Sequence, residues 1–237
     1  MRHDRCRPTL PVMAIAGLLA GLAMLPAGLS AQERVSFPTE DAGLVHADLY
    51  GQGDRGIVLA HGGRFNKESW AEQARALAAA GFRVLAIDFR GYGESRGPGD
   101  SDPLSEPLHL DVLAAARYLR KAGAKTVSLV GGSMGGAAAA DAAAAGEPGE
   151  IDRVVLLGSG AGARPEDLRG RKLFIVARDD IGPGDRPRLP GILAQYERVP
   201  DPKEMLILEG TAHAQYLFQT DQGERVLREI LRFLTDP

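Results

Sequence analysis

Cysteine is almost missing from this chain: one in 237 residues, Cys6, inside the first ten. A disulfide framework, a cysteine-based zinc site and a cysteine nucleophile are thereby excluded from the body of the protein. Basic charge is not in excess, since 28 Lys and Arg face 31 Asp and Glu, a formal net charge of -3 with a pI near 6.0. That leaves no positive field of the kind that holds a nucleic acid. Histidine is scarce at 5, and His46 and His109 show no metal-ligand spacing, so neither metal nor cofactor is expected. The longest apolar run, residues 12–25, has 14 residues, short of the roughly 20 a membrane-spanning helix needs. What is there, 44% hydrophobic and 25% charged residues in 25.1 kDa, is the composition of one globular domain.

Residues 1–31 read as a secretory signal peptide. Arg2, Arg5 and Arg7 outweigh Asp4, the uncharged run follows, and a small-residue cleavage site fits after Ser30, with Gly28, or after Ala31. The competing reading, an uncleaved membrane anchor, is opposed by Pro11 and Pro26, which bracket the run. Cleavage would leave a domain over 32–237 with 25 basic and 30 acidic side chains. This expectation places the mature chain in the periplasm or outside the cell, without stable membrane insertion.

From Gly56 onward, short apolar runs alternate with helical periodicity. Strands are expected at 56–61, 83–88, 126–130, 153–157, 172–176 and 205–208, and helices at 67–80, 108–121, 134–145 and 222–234. Continuous apolar runs separated by amphipathic helices predict an α/β fold, a mostly parallel sheet covered on both faces. Residues 34–50 depart from the pattern and read as an antiparallel pair.

In such a sheet, reactive groups gather at the carboxyl ends of the strands. There, Gly131-Gly132-Ser133-Met134-Gly135 joins a strand to a helix in the pattern G-x-S-x-G. The turn is sharp enough that a side chain at Gly131 or Gly135 would clash, and it sets Ser133 at a helix N-terminus, where backbone N–H groups favour negative charge. A serine hydroxyl needs a base, and the base needs a carboxylate to orient it. Asp179 and Asp180 both follow the 172–176 strand.

Five segments in this order resemble the α/β-hydrolase superfamily across the mature chain: His61-Gly62-Gly63, Asp88-Phe89-Arg90-Gly91-Tyr92-Gly93-Glu94-Ser95, the serine turn, Val176-Ala177-Arg178-Asp179-Asp180 and Gly210-Thr211-Ala212-His213. The family usually has glycine where this chain has Ala177. The resemblance implies a serine hydrolase of the esterase, lipase or serine aminopeptidase-like branch, with Ser133 as nucleophile. Its chain order of Ser, then acid, then His makes His213 the base, since no other histidine follows Ser133. Its spacing selects Asp180 over Asp179 and implies an oxyanion hole from the backbone N–H of Met134 with that of Gly63, Arg64 being the rival donor. It also assigns His61 to bracing the loop, and Asp88 to a structural pairing within the Arg90 loop.

The 158–171 connection is too short for a lid or cap, so an open site is expected, taking a small-molecule or acylated substrate. Arg64, Arg90 and Arg96 could face the cleft, and Tyr216, Leu217 and Phe218 could be core or pocket wall. The expected reaction is carboxylic ester cleavage through an acyl-enzyme. The alternatives are a serine aminopeptidase-like peptidase and a non-catalytic binding module that kept the fold.

Overall fold

The computed structural model describes Met1, residues 32–99 and residues 107–236. The proposed signal peptide lies outside the described residues, apart from Met1. Eight strands form one sheet: β1 (Glu33–Pro38), β2 (Leu44–Tyr50), β3 (Arg55–Ala60), β4 (Phe82–Ile87), β5 (Thr126–Gly132), β6 (Arg153–Leu157), β7 (Arg171–Ala177) and β8 (Lys203–Leu208), in the spatial order β1-β2-β4-β3-β5-β6-β7-β8. The strands from β3 to β8 are parallel; β1 and β2 pair antiparallel with each other, and β2 joins β4 antiparallel.

The continuous apolar runs have a simple cause. Successive strand residues point to opposite faces, and both faces are covered. On β3, Ile57 and Leu59 pack into one core cluster and Val58 and Ala60 into the other. The same alternation runs along β7, with Leu173, Ile175 and Ala177 on one side and Phe174 and Val176 on the other. Helices α2 (His109–Lys121) and α3 (Met134–Ala145) cover one face. Helices α1 (Ala71–Ala79) and α5 (Gly223–Thr235) cover the other, through Leu77, Val226, Ile230 and Phe233. Helix α3 is alanine-rich and buried nearly all round, which suits an element pressed against both α2 and the sheet. Among the described residues no helix is long and apolar enough to cross a membrane.

Two elements differ from the sequence expectation. The helix expected at 67–80 begins as a 3-10 turn, Lys67–Trp70, and becomes α-helical only at Ala71. A helix, α4 (Leu189–Arg198), occupies a stretch to which the sequence reading assigns no element. Proline in a first helical turn loses nothing, because that N–H has no partner within the helix. Between β6 and β7 there is only a 3-10 turn, Pro165–Asp167, so the carboxyl ends of the strands carry no lid at that point.

Candidate active site

The turn after β5 holds Ser133 at φ 52 and ψ -114, a conformation rare outside glycine. Space rather than hydrogen bonding dictates the glycines beside it. A Cβ at Gly131 would run into the carbonyl oxygen of Gly135, and one at Gly135 into that of Ala60. The Ser133 N–H is already used, donating to the Leu157 carbonyl at 2.9 Å. Met134, the first residue of α3, has no carbonyl a turn earlier to receive its N–H.

Two other strand ends converge on the serine. His213 follows β8, and its Nε2 lies 2.8 Å from Ser133 Oγ, while its Nδ1 lies 2.7 Å from Asp180 Oδ2. Asp180 follows β7 and is fully buried, whereas Asp179 is exposed and meets Gly210 only through its backbone. Gly158, at the end of β6, leaves room for this pair, because a Cβ there would sit 2.9 Å from His213 Nδ1 and 3.2 Å from Asp180 Oδ2. The second carboxylate oxygen, Asp180 Oδ1, accepts no hydrogen bond; its nearest cation is Arg188 Nε at 3.4 Å.

The turn after β3 forms the other wall. Phe65 N–H donates to the Gly62 carbonyl at 2.9 Å, and Tyr92 Oη donates to the Gly63 carbonyl at 3.0 Å. Gly63 stands with its Cα side open toward Met134 Sδ. His61 is fully buried beneath it. The Phe89 N–H donates to its Nε2 at 3.3 Å, so the ring proton belongs on Nδ1, 2.9 Å from the Gly62 carbonyl. Burial holds the His61 pKa below its ordinary value, consistent with a neutral bracing ring.

Gln215, which the sequence did not single out, ties this turn to the His213 segment. Its Oε1 accepts the Gly62 N–H at 2.7 Å and its Nε2 donates to Ser69 Oγ at 2.6 Å, all at 4% exposure. Its position two residues beyond His213 was the one available signal.

The Arg90 loop is organised differently from the expectation. Asp88 does not pair within that loop: its carboxylate accepts from Lys67 N and Lys67 Nζ at 2.8 and 2.9 Å. Arg90 is itself buried, with Nη2 2.6 Å from Asp111 Oδ1 and Nη1 2.6 Å from Asp41 Oδ2. These contacts anchor the loop to α2 and to the β1–β2 connection and keep Arg90 out of the cleft. Arg96 pairs through its backbone with Leu44, also away from Ser133. Of the three arginines named from sequence, Arg64 alone lines space beside Ser133, and Arg186 and Arg188 join it there.

Ser133 and Met134 stand between two clefts. One, of about 570 Å³, is walled by Gly63, Arg64, Phe65, Ile181 and Tyr216. The other, of about 660 Å³, is walled by Ser159, Arg186, Arg188, Ile192 and Gln195. Tyr216 is exposed and packs against Phe65 as a cleft wall, the rings tilted with centroids 4.9 Å apart, whereas Leu217 is core. His46 lies 3.7 Å from Glu94, and His109 opens α2. Among the described residues no group of three or more His, Cys, Asp or Glu is placed to hold a metal ion.

Known proteins are similar to this chain in sequence or in fold. The AB hydrolase superfamily protein YisY of Bacillus subtilis is 33% identical over 157 residues, 63% of this chain and 56% of that protein. The bifunctional epoxide hydrolase 2 of Sus scrofa is 42% identical over 82 residues, 34% of this chain and 14% of that protein. The chain thus spans about half the length, or less, of these curated relatives. Among solved structures, an esterase of Pyrococcus furiosus superposes with a TM-score of 0.67 at 18% identity, over 87% of this chain and 92% of that one. The family described as alpha/beta hydrolase fold matches residues 57–179. That stretch exceeds half of the chain and runs from β3 through the serine turn to the end of β7, so this protein belongs to the α/β-hydrolase family.

Proposed function

We propose that this protein is a serine hydrolase that cleaves a carboxylic ester through an acyl-enzyme, with Ser133 as nucleophile, His213 as base and Asp180 as the acid that orients it. The observation that carries the reading is the unbroken hydrogen-bonded line from buried Asp180 through His213 to Ser133 Oγ, at 2.7 and 2.8 Å. His213 Nε2 would take the hydroxyl proton as Oγ attacks the carbonyl carbon, and Asp180 would stabilise the imidazolium through Nδ1–H. The Met134 N–H, at the positive end of α3, and the Gly63 N–H would receive the oxyanion. The imidazolium then protonates the leaving alkoxide, and water, activated by the same ring, resolves the acyl-enzyme. Export directed by residues 1–31 belongs to the same proposal and rests on their sequence pattern.

The test is hydrolysis of 4-nitrophenyl esters of graded acyl length by residues 32–237, beside Ser133→Ala, with fluorophosphonate labelling of both. Turnover and labelling that vanish together in the variant are the expected result. A folded protein that neither turns over esters nor labels at Ser133 would overturn the reading in favour of a binding module.

A further inference from the structure

The charge around Ser133 is one-sided in a chain that is net acidic. Arg64 lines one cleft, Arg186 the other, and Arg188 both, and no Asp or Glu lines either. The nearest carboxylate, Asp180, is buried, with Oδ2 engaged by His213 and Oδ1 3.4 Å from Arg188 Nε. Asp185 sits on the same loop as Arg186 but lines neither cleft.

The 660 Å³ cleft gathers donors in particular. Residues 181–188 fold back on themselves, with an Ile181–Pro187 bridge and the Gly182 N–H donating to the Arg186 carbonyl at 2.8 Å. The Arg188 N–H is held by the Asp180 carbonyl at 2.9 Å, which pins this loop to the acid's own segment. Opposite, Gln195 Oε1 accepts the Ala161 N–H at 2.6 Å, leaving its NH2 group as a donor on a cleft wall. No hydrogen bond or ion pair joins the Arg186 side chain to another described residue. An exposed arginine without a partner carries little meaning alone. Arg186, which no carboxylate neutralises, the Gln195 amide and an Arg188 whose Nε alone faces Asp180, at 3.4 Å, form a fork suited to an anion in one cleft with the serine.

We propose that the cleft between residues 158–160 and α4 is an anion subsite, and that the substrate is an ester bearing a carboxylate or similarly charged group a few bonds from its scissile carbonyl. This rests on the serine hydrolase reading above. Arg186 and Arg188 would bind the charge, while Arg64 adds to the field that draws it in.

Two substrate pairs test it. The 4-nitrophenyl hemiester of glutaric acid against its methyl diester puts the charge on the acyl side. 4-Acetoxybenzoate against its methyl ester puts it on the leaving group. At low salt, at least one anionic member should show about tenfold higher kcat/KM than its neutral partner, carried by KM. Arg186→Gln should erase most of that preference, and Arg228→Gln, on α5, should leave it in place. Raising the salt should shrink it. Calorimetric binding of the same pairs to Ser133→Ala separates the subsite from the chemistry. Tighter binding of an anionic member, lost in Arg186→Gln, supports the subsite whether or not the protein turns esters over. Equal binding within both pairs overturns it, even where neutral esters are hydrolysed and the serine hydrolase reading stands.

Discussion

The turn after β5 and the loop after β7 both deliver residues to the same cleft, and they are built in opposite ways. At the first, Ser133 is forced into a left-handed conformation by neighbours so close that neither Gly131 nor Gly135 can carry a side chain. At the second, residues 181–187 are exposed apart from half-buried Gly182, and the loop is closed at its base by the Arg188 N–H donating to the Asp180 carbonyl. The two segments divide the labour. Close packing holds reacting atoms to fractions of an ångström, whereas a loop with few contacts can exchange its side chains without disturbing them.

Breaking the first region should have the largest effect. Ser133→Ala should lower kcat/KM toward 4-nitrophenyl esters by about 10⁴-fold or more, with melting temperature near that of the parent, because the hydroxyl makes no packing contact the fold needs. Gln215→Leu comes next. It strips the buried Gly62 N–H of its acceptor, at a cost of about 1 to 3 kcal/mol of stability by urea denaturation, and should reduce kcat more than it changes KM as the Gly63 turn loosens.

A pair of matched glycine substitutions sharpens the contrast. Gly135→Ala presses a methyl into the Ala60 carbonyl and should destabilise by about 1 to 3 kcal/mol with loss of activity. Gly191→Ala, in exposed α4 with nothing within 4 Å of the new methyl, should stabilise by about 0.5 to 1 kcal/mol. Equal penalties at the two sites would show that the outer segment is packed as tightly as the turn.

An effect of similar size to the Gly191 gain concerns the buried Arg90 anchor. Arg90 holds the Asp41 carboxyl from 3.8 down to about 2, a depressed folded-state pKa. Its stabilisation is present above about pH 4 and is lost as pH falls through about 2. About 1 kcal/mol should disappear between pH 5 and pH 3, and Asp41→Asn should remove that part of the acid slope.

How much could be read in advance follows the same division. The strands of the sheet and the helices α1, α2, α3 and α5 were visible as periodicity, and the antiparallel entry at β1 and β2 as its interruption. The turn at Ser133 was legible through its glycine spacing: Gly131 answers to the Gly135 carbonyl within five residues, although Gly135 itself answers to the Ala60 carbonyl at the end of β3. Helix α4 was not: Leu189, Ile192 and Tyr196 repeat at helical spacing and pack on the core, but Pro190 and Gly191 in its first turn interrupt the signal. Asp88 was assigned to the wrong partner because Lys67, 21 residues earlier, reaches it through a 3-10 turn that helical spacing does not foretell. Arg90 could be taken for a cleft residue because nothing local shows Asp41 and Asp111 closing around it.

The sequence by itself determined the layered sheet, the position of the strained serine and the order in which an acid and a histidine follow it. These depend on side-chain alternation, on the spacing of glycines around one turn and on chain direction, all of which are written along the chain. The tertiary structure decided which arginines face Ser133, how Gln215 spans 153 residues to hold Gly62, and where the cleft carries positive charge. Those are contacts between strand ends far apart in the chain, and they come into being only when the sheet forms.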